Sequence, residues 1–157
     1  MSDTAYTIVL CGTDGSDSSL RAVDRAAAVA RDADALLLLV TAYRPMSTRE
    51  LQDAQDSLGG ESYKVSGSAP AEAVLRSAAD RALAAGPVKV ETIAVQGDPV
   101  DGLIDIANSR GADLVVVGNR GLNSLAGRLL GSVPANISHR SVCDVLIVHT
   151  TGRGPKK

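Results

Sequence analysis

Five short apolar runs, separated by stretches with helical spacing of apolar residues, constrain the fold of this chain more than any other feature. The runs predict strands at residues 6–11, 35–41, 90–95, 113–118 and 144–149. Strands that alternate with helices form a parallel sheet with right-handed crossovers. The second run is apolar at every position, which is typical of a strand covered on both faces. The sequence therefore predicts an α/β fold with a single open parallel five-stranded sheet and helices on both faces.

Start and stop signals mark the helices between these strands. Ser16 or Asp17 can cap a helix after the first strand, and Asp98 followed by Pro99 opens another. A helix is predicted from about residue 70 to residue 85, and a further one from residue 132 to about residue 140. The predicted inward face of the helix at 70–85 comprises Val74, Leu75, Ala78 and Leu83.

The length of 157 residues predicts one domain, over residues 1–150. Within it, residues 43–67 lack periodicity and are expected to form a mobile loop, and residues 151–157 are expected to be a disordered tail. Hydrophobic residues make up 45% of the chain, which contains no Phe and no Trp. The core must therefore be aliphatic.

Composition excludes several classes of partner. The net charge of −2 and the scarcity of aromatic residues argue against a nucleic-acid surface. The longest apolar run, from Ala35 to Val40, is too short to span a bilayer, and the first residues are not expected to form a signal peptide. Cys11 and Cys143 stand apart, without metal-binding spacing. We expect a cytoplasmic protein with no nucleic-acid or membrane partner.

A glycine-rich stretch follows the fourth predicted strand and leads into the last predicted helix. Glycines at 118, 121 and 131 are expected to allow left-handed backbone and close approach of a ligand. Ser132 stands at the start of the helix, where unpaired N–H groups and the helix dipole favour an anion. The pattern is neither a Walker loop nor a dinucleotide fingerprint.

The spacing of this stretch is Gly, two residues, Gly, nine residues, Gly-Ser, and here the sequence resembles the nucleotide-binding branch of the universal stress protein family. The resemblance extends over residues 6–149. It implies a Rossmann-like sheet, similar to that of the adenine nucleotide alpha hydrolases, with strand order 3-2-1-4-5. The turn at Gly12–Gly15 would then face the loop at Gly118–Gly121 across one crevice. The turn and the helix start at Gly131 are also similar to mycobacterial members associated with cyclic AMP.

Carried over position by position, the resemblance implies a set of binding residues. Asp14 would accept hydrogen bonds from the ribose hydroxyls, beside Gly12, Thr13 and Gly15, and the strand end near Thr41 would offer backbone groups to adenine. The residues implied around the phosphates are Gly118, Asn119, Arg120, Gly121, Arg128, Gly131, Ser132 and Val133.

Several of these residues have a second interpretation. Asp14 could instead stabilise its own turn, an ordinary role for Asp after a strand. Arg120 and Arg128 could contact a phosphate or face solvent. Pro134 stands where many family members have a hydroxyl residue, which removes one phosphate contact.

The resemblance implies a regulatory, stress-response protein that binds ATP or cyclic AMP, with Mg²⁺ accompanying ATP where ATP is bound. The sequence contains no recognisable triad, metal cluster or catalytic base, so a binding protein is favoured over an enzyme. The alternatives are a slow ATPase or adenylyl-transfer enzyme, and a dimeric interaction module with a degenerate site. A homodimer is expected through the apolar edge strand Val145–Val148.

Overall fold

The computed structural model describes residues 5–44, 69–119 and 132–150. Most of the predicted loop at 43–67, the predicted tail at 151–157 and four predicted site residues lie outside these ranges. Those four residues are Arg120, Gly121, Arg128 and Gly131.

Strands and helices alternate along the described chain, as predicted. The strands are β1 (Ile8–Gly12), β2 (Leu36–Tyr43), β3 (Lys89–Gln96), β4 (Leu114–Gly118) and β5 (Asp144–Val148). The helices are α1 (Asp17–Ala33), α2 (Ala69–Ala84), α3 (Pro99–Arg110) and α4 (Ser132–Arg140). The strands form one parallel sheet in the order β3-β2-β1-β4-β5. The predicted fold class and strand order are therefore confirmed.

The helices cover the sheet on both faces. Alternate residues of β1 point to opposite faces, so Val9 packs in a cluster with α1 and α2, whereas Leu10 packs in a cluster with α3 and α4. Both clusters are built from Val, Leu, Ile and Ala, together with Cys11. Burial raises the pKa of the Cys11 thiol from 9.0 to about 12. The interior is thus aliphatic on both sides of the sheet.

Capping residues mark the ends of the helices, either through a side chain or through left-handed backbone. The Ser16 side chain accepts a hydrogen bond from Ser19 N at the start of α1. Asp98 accepts from Asp101 N at the start of α3, and Gly111 ends that helix with a φ of 71°. Asp34 also takes the left-handed conformation, at the end of α1. Of these caps, Asp34 is the one that sequence reasoning did not identify.

Two expectations about individual residues are wrong. Leu83 was expected to face the core but is 50% exposed, and Ala82 takes the inward position because it continues the spacing of Leu75 and Ala78. Gly118 was expected to adopt left-handed backbone but lies within the extended strand β4.

Within the described ranges, no helix has both the length and the apolar character needed to cross a membrane.

Candidate functional site

A crevice opens beyond the carboxyl ends of β1 and β4, where the order of the strands reverses. Ligands of open parallel sheets bind at such a point because the loops after adjacent strands turn to opposite faces there. The turn after β1 and the end of β4 meet at this crevice. Its lining comprises Gly12, Thr13, Asp14, Ser19, Val40, Thr41, Ala42, Pro99, Leu103, Val117, Gly118, Val133 and Pro134.

Asp14 lies in the turn between β1 and α1 and is half-buried. Its Oδ1 accepts a hydrogen bond from Ser16 N at 2.9 Å, so part of the carboxylate stabilises the turn. Oδ2 makes no hydrogen bond within the part of the chain that the structure describes. One carboxylate oxygen is therefore available to a ligand that enters the crevice.

Backbone groups at the end of β2 form the opposite side of the crevice. Thr13 N donates to the Val40 carbonyl at 2.9 Å, and β1 ends at Gly12, which pairs with Val40. The Tyr43 carbonyl accepts from Gly97 N, on the β3 side. Because peptide groups alternate along a strand, those of Ala42 point to the same edge as the Val40 carbonyl, beyond the end of β1. The N–H and C=O of Ala42 can therefore recognise the edge of a planar heterocycle.

The remaining walls of the crevice are apolar. Val40 and Val117 come from the sheet, Pro99 and Leu103 from α3, and Val133 from α4. A Cβ at Gly12 would lie 2.9 Å from Leu103 Cδ1, so glycine at this position allows α3 to pack close to the end of β1. Aliphatic walls of this kind suit the faces of an aromatic base.

Asn119 follows β4 directly, and its polar groups are engaged within the protein. Its backbone N donates to the Val148 carbonyl at 2.8 Å. Its Oδ1 accepts from Thr150 N at 2.9 Å and from Thr150 Oγ1 at 3.0 Å. Both side chains are buried, and Ser18 Oγ and Arg21 Nη1 from α1 also bond to Thr150. Asn119 thus joins the beginning of the glycine-rich stretch to β5 and α1.

Ser132 begins α4, as predicted, and borders a polar hollow beside the crevice. This hollow is lined by Arg44, Asp98, Pro99, Val100, Ser132, Val133, Asn136 and Arg140. Sequence reasoning counted Arg120 and Arg128 as the cations near the phosphates and missed Arg44 and Arg140. Arg140 Nη1 lies 2.8 Å from Asp101 Oδ1, so part of its charge is neutralised.

The structure gathers Gly12, Thr13, Asp14, Thr41, Gly118 and Val133 at the crevice, whereas Gly15 is exposed beside it. Sequence reasoning missed Ser19, Ala42, Pro99 and Leu103. The sequence does show that Ser19 lies close to the turn, but it does not show which hydrogen bonds Ser19 makes. Among the described residues that line the crevice, Asp14 carries the one ionisable side chain. The described residues include no group of three or more His, Cys, Asp or Glu suited to holding a metal ion.

Comparison with known proteins agrees with this architecture. The family model described as "Universal stress protein family" matches residues 5–149. A universal stress protein of Mycobacterium tuberculosis (strain H37Rv) is 55% identical over 148 residues, which cover 94% of this chain and 99% of that protein. The universal stress protein YxiE of Bacillus subtilis (strain 168) is 33% identical, over 91% of this chain and 99% of that protein.

A solved structure gives the corresponding result in three dimensions. The crystal structure of a universal stress protein in complex with cyclic AMP is similar to this chain with a TM-score of 0.74 and 51% sequence identity. The similarity covers 94% of this chain and all of that one. The family match and the sequence identity together show that this chain belongs to the universal stress protein family.

Proposed function

We propose that this protein binds an adenine nucleotide, ATP or cyclic AMP, in the crevice between β1 and β4, and acts as a cytoplasmic regulatory protein of the stress response. The observation that carries the proposal is the juxtaposition of Asp14 with the Ala42 backbone edge across an aliphatic slot. The 51% identical universal stress protein solved with cyclic AMP supports the choice of nucleotide.

The parts of the crevice fit the parts of a nucleoside. The base would lie between the aliphatic side chains of Val40, Val117 and Leu103, with its edge at the Ala42 N–H and C=O. The ribose would lie against Asp14, whose Oδ2 would accept a hydrogen bond from a ribose hydroxyl. A hydrogen bond to a charged group contributes about 1.5–3 kcal/mol, so this contact would account for much of the preference for a ribonucleotide.

The phosphates would extend from the ribose toward Gly118 and the start of α4. Ser132 and Val133 begin that helix, whose first N–H groups have no partner within the helix and favour an anion. The implied contacts at Arg120, Gly121, Arg128 and Gly131 remain part of the proposal. Asn119 contributes to it by fixing the end of β4, because its side-chain oxygen and its backbone N bond to Thr150 and Val148.

ATP and cyclic AMP differ in how much charge the site must balance. ATP carries several negative charges and, when bound, would bring Mg²⁺ with it, whereas cyclic AMP carries one. Cyclic AMP has its 3′ oxygen locked in the phosphate ring, so Asp14 would hold the 2′ hydroxyl alone. We propose that both nucleotides compete for the crevice and that cyclic AMP binds more tightly.

Competition titration at two salt concentrations tests this proposal. ATP, AMP, cyclic AMP and GTP are titrated against one bound adenine nucleotide, and the affinity of cyclic AMP should fall less with salt than that of ATP. Asp14→Ala should weaken binding at least tenfold, because a hydrogen bond to a carboxylate is lost. Asp105→Ala, which removes an exposed carboxylate of α3, is the matched control and should not change the affinity.

Each outcome of the titration bears on a different part of the proposal. Equal binding of GTP would show that the Ala42 edge does not select adenine. Failure of cyclic AMP to displace ATP would exclude a shared site. Hydrolysis of ATP well above background would favour the alternative of a slow ATPase, although phosphoryl transfer requires a positioned attacking group that the described crevice residues do not supply.

We also propose that the protein is a homodimer that pairs through β5. This strand lies at the edge of the sheet, and its residues Val145, Leu146 and Ile147 are only partly buried. Pairing with a second copy would satisfy the backbone groups of the edge and cover apolar surface.

A further inference from the structure

We propose that Ser19 is a positioning residue that fixes the carboxylate of Asp14 in the orientation needed to bind the ribose, with Thr13 as its partner. The inference rests on the proposed function, because it concerns how the same site holds its nucleotide. Ser19 lies in the first turn of α1 and lines the crevice.

The hydroxyl groups of Ser19 and Thr13 form a chain of hydrogen bonds with a defined direction. Gly15 N donates to Thr13 Oγ1 at 3.2 Å, and the two hydroxyl oxygens lie 2.8 Å apart. Ser19 Oγ donates to the Ser16 carbonyl at 3.0 Å. Because each hydroxyl has one proton, Thr13 must then be the donor in its bond with Ser19. This assignment uses both protons.

Ser19 has no hydrogen-bonding capacity left for a ligand in this arrangement. Its oxygen accepts from Thr13 Oγ1 and from Asp14 N, the latter at 3.3 Å, and its proton goes to the Ser16 carbonyl. A hydroxyl provides one donor and two acceptor sites, so all three are occupied. Although Ser19 lines the crevice, its role is therefore to hold the turn rather than to contact the nucleotide.

The turn fixes Asp14 at two points. The Asp14 backbone N is bound by Ser19, and Oδ1 of its side chain is bound by Ser16 N at 2.9 Å. Ser16 is itself held as the N-cap of α1 through Ser19 N. These two contacts fix the orientation of the carboxylate, and Oδ2 is left available to accept a hydrogen bond from the ribose. Loss of the Ser19 hydroxyl would leave the backbone N–H of Asp14 without its acceptor. It would also remove one of the two hydrogen bonds to the Ser16 carbonyl, which would keep the bond from Leu20 N.

Comparison of ribonucleotides with deoxynucleotides tests this role, since only the former have the hydroxyl that Asp14 would bind. The dissociation constants of cyclic AMP and 2′-deoxy cyclic AMP are measured, with ATP and 2′,3′-dideoxy ATP as a second pair. Ser19→Ala should weaken binding of the ribonucleotides about fivefold and leave the deoxynucleotides nearly unchanged. In a cycle with Asp14→Ala, the double variant should bind no more weakly than Asp14→Ala alone.

Ser109→Ala is the matched control, because Ser109 Oγ also donates to the carbonyl three residues earlier, on α3 and away from the crevice. It should leave both ligand pairs unaffected. If Ser19→Ala does not fold, Thr13→Val serves in its place, because it removes the other hydroxyl of this hydrogen-bonded pair. It should likewise weaken the ribonucleotides while leaving the deoxynucleotides nearly unchanged. Ser19→Thr retains a hydroxyl at this position and should bind the ribonucleotides as the unaltered protein does.

Two results would overturn the inference. The first is that Ser19→Ala and Thr13→Val weaken ribonucleotides and deoxynucleotides by the same factor, which would indicate a general effect on the fold. The second is that the effects of Ser19→Ala and Asp14→Ala simply add. If the unaltered protein binds none of the four nucleotides, the proposed function itself is wrong, an outcome distinct from either.

Discussion

Burial of a single thiol gives this protein a specific dependence on pH. Cys11 is fully buried at the end of β1, and its pKa is raised to about 12 because the charged thiolate would lose its hydration. In the unfolded chain the thiol ionises near pH 9, its ordinary value. Its contribution to stability is therefore complete below pH 9 and is lost as the pH rises toward 12.

We expect the free energy of unfolding to fall with pH above 9 more steeply in the unaltered protein than in Cys11→Ala. The difference should be about 1.4 kcal/mol per pH unit, the value for one proton. Urea unfolding at several pH values between 8 and 11 measures it. Cys143→Ala, at the half-exposed cysteine, keeps Cys11 and should retain the steep slope. Parallel curves for the unaltered protein and Cys11→Ala would contradict the prediction.

Gly15 combines unusual backbone with a close neighbour. Its φ is +83°, and a Cβ there would lie 3.0 Å from Val74 Cγ2 on α2. Gly15→Ala should lower the free energy of unfolding by about 1–2 kcal/mol, because alanine is strained in the left-handed conformation. Displacement of Val74 by the new Cβ should lower it further.

Gly111 provides the comparison for Gly15, since its φ is +71° and no atom lies within 4 Å of its added Cβ. Gly111→Ala should therefore show the backbone cost alone. The double variant of Gly15→Ala and Val74→Ala should lose less stability than the sum of the two single variants, because the clash between the two side chains disappears. Equal losses for the two glycine variants would mean that Val74 moves aside without cost.

Among the secondary-structure elements, the end of β4 depends on Asn119. Asn119→Ala would leave the buried N–H and hydroxyl of Thr150 without their acceptor. An unsatisfied buried group costs about 1–3 kcal/mol, so the free energy of unfolding should fall by at least that amount. Chemical denaturation measures it, with Asn108→Ala on the exposed side of α3 as the control. Equal stability of the two variants would show that Thr150 finds another acceptor.

Local signals in the sequence were sufficient to predict most elements, and long-range geometry was not. Ser16 and Asp98 cap the helices that they were expected to cap, because capping depends on neighbouring residues. Leu83 was misplaced because helical spacing alone does not distinguish it from Ala82. The role of Ala42 depends on where β1 ends relative to β2, which is a property of the sheet. The hydrogen bonds of Ser19 likewise depend on how the turn folds back onto α1.

For the molecule as a whole, the direction of peptide groups along β5 suggests how to test the proposed dimer. The Val148 carbonyl accepts from Asn119 N on the β4 side, so the peptide groups of Ile147 point away from the sheet. Ile147→Pro removes an outward N–H, which an edge strand tolerates, but it should prevent pairing with a second copy.

Sedimentation equilibrium should show a dimer for the unaltered protein and a monomer for Ile147→Pro at micromolar concentration. Ile147→Val, which keeps the N–H, should remain dimeric. Nucleotide binding by Ile147→Pro confirms that the fold is intact. A monomeric unaltered protein, or a dimeric Ile147→Pro, would contradict pairing through β5.

Because β1 and β5 run in parallel, the two ends of the described chain emerge at opposite ends of the sheet. Tyr6 precedes β1 at the side away from the crevice, and Thr150 follows β5 beside Ser18 and Asn119. A strand of five residues spans roughly 17 Å, so an anchor near residue 5 would stand about that far from the crevice. Immobilisation through that end would leave the crevice open to the medium. A fluorophore attached beyond Thr150 would instead start beside Ser18 and Asn119, at the crevice end of the sheet, and could report nucleotide binding optically, against a background with no tryptophan emission.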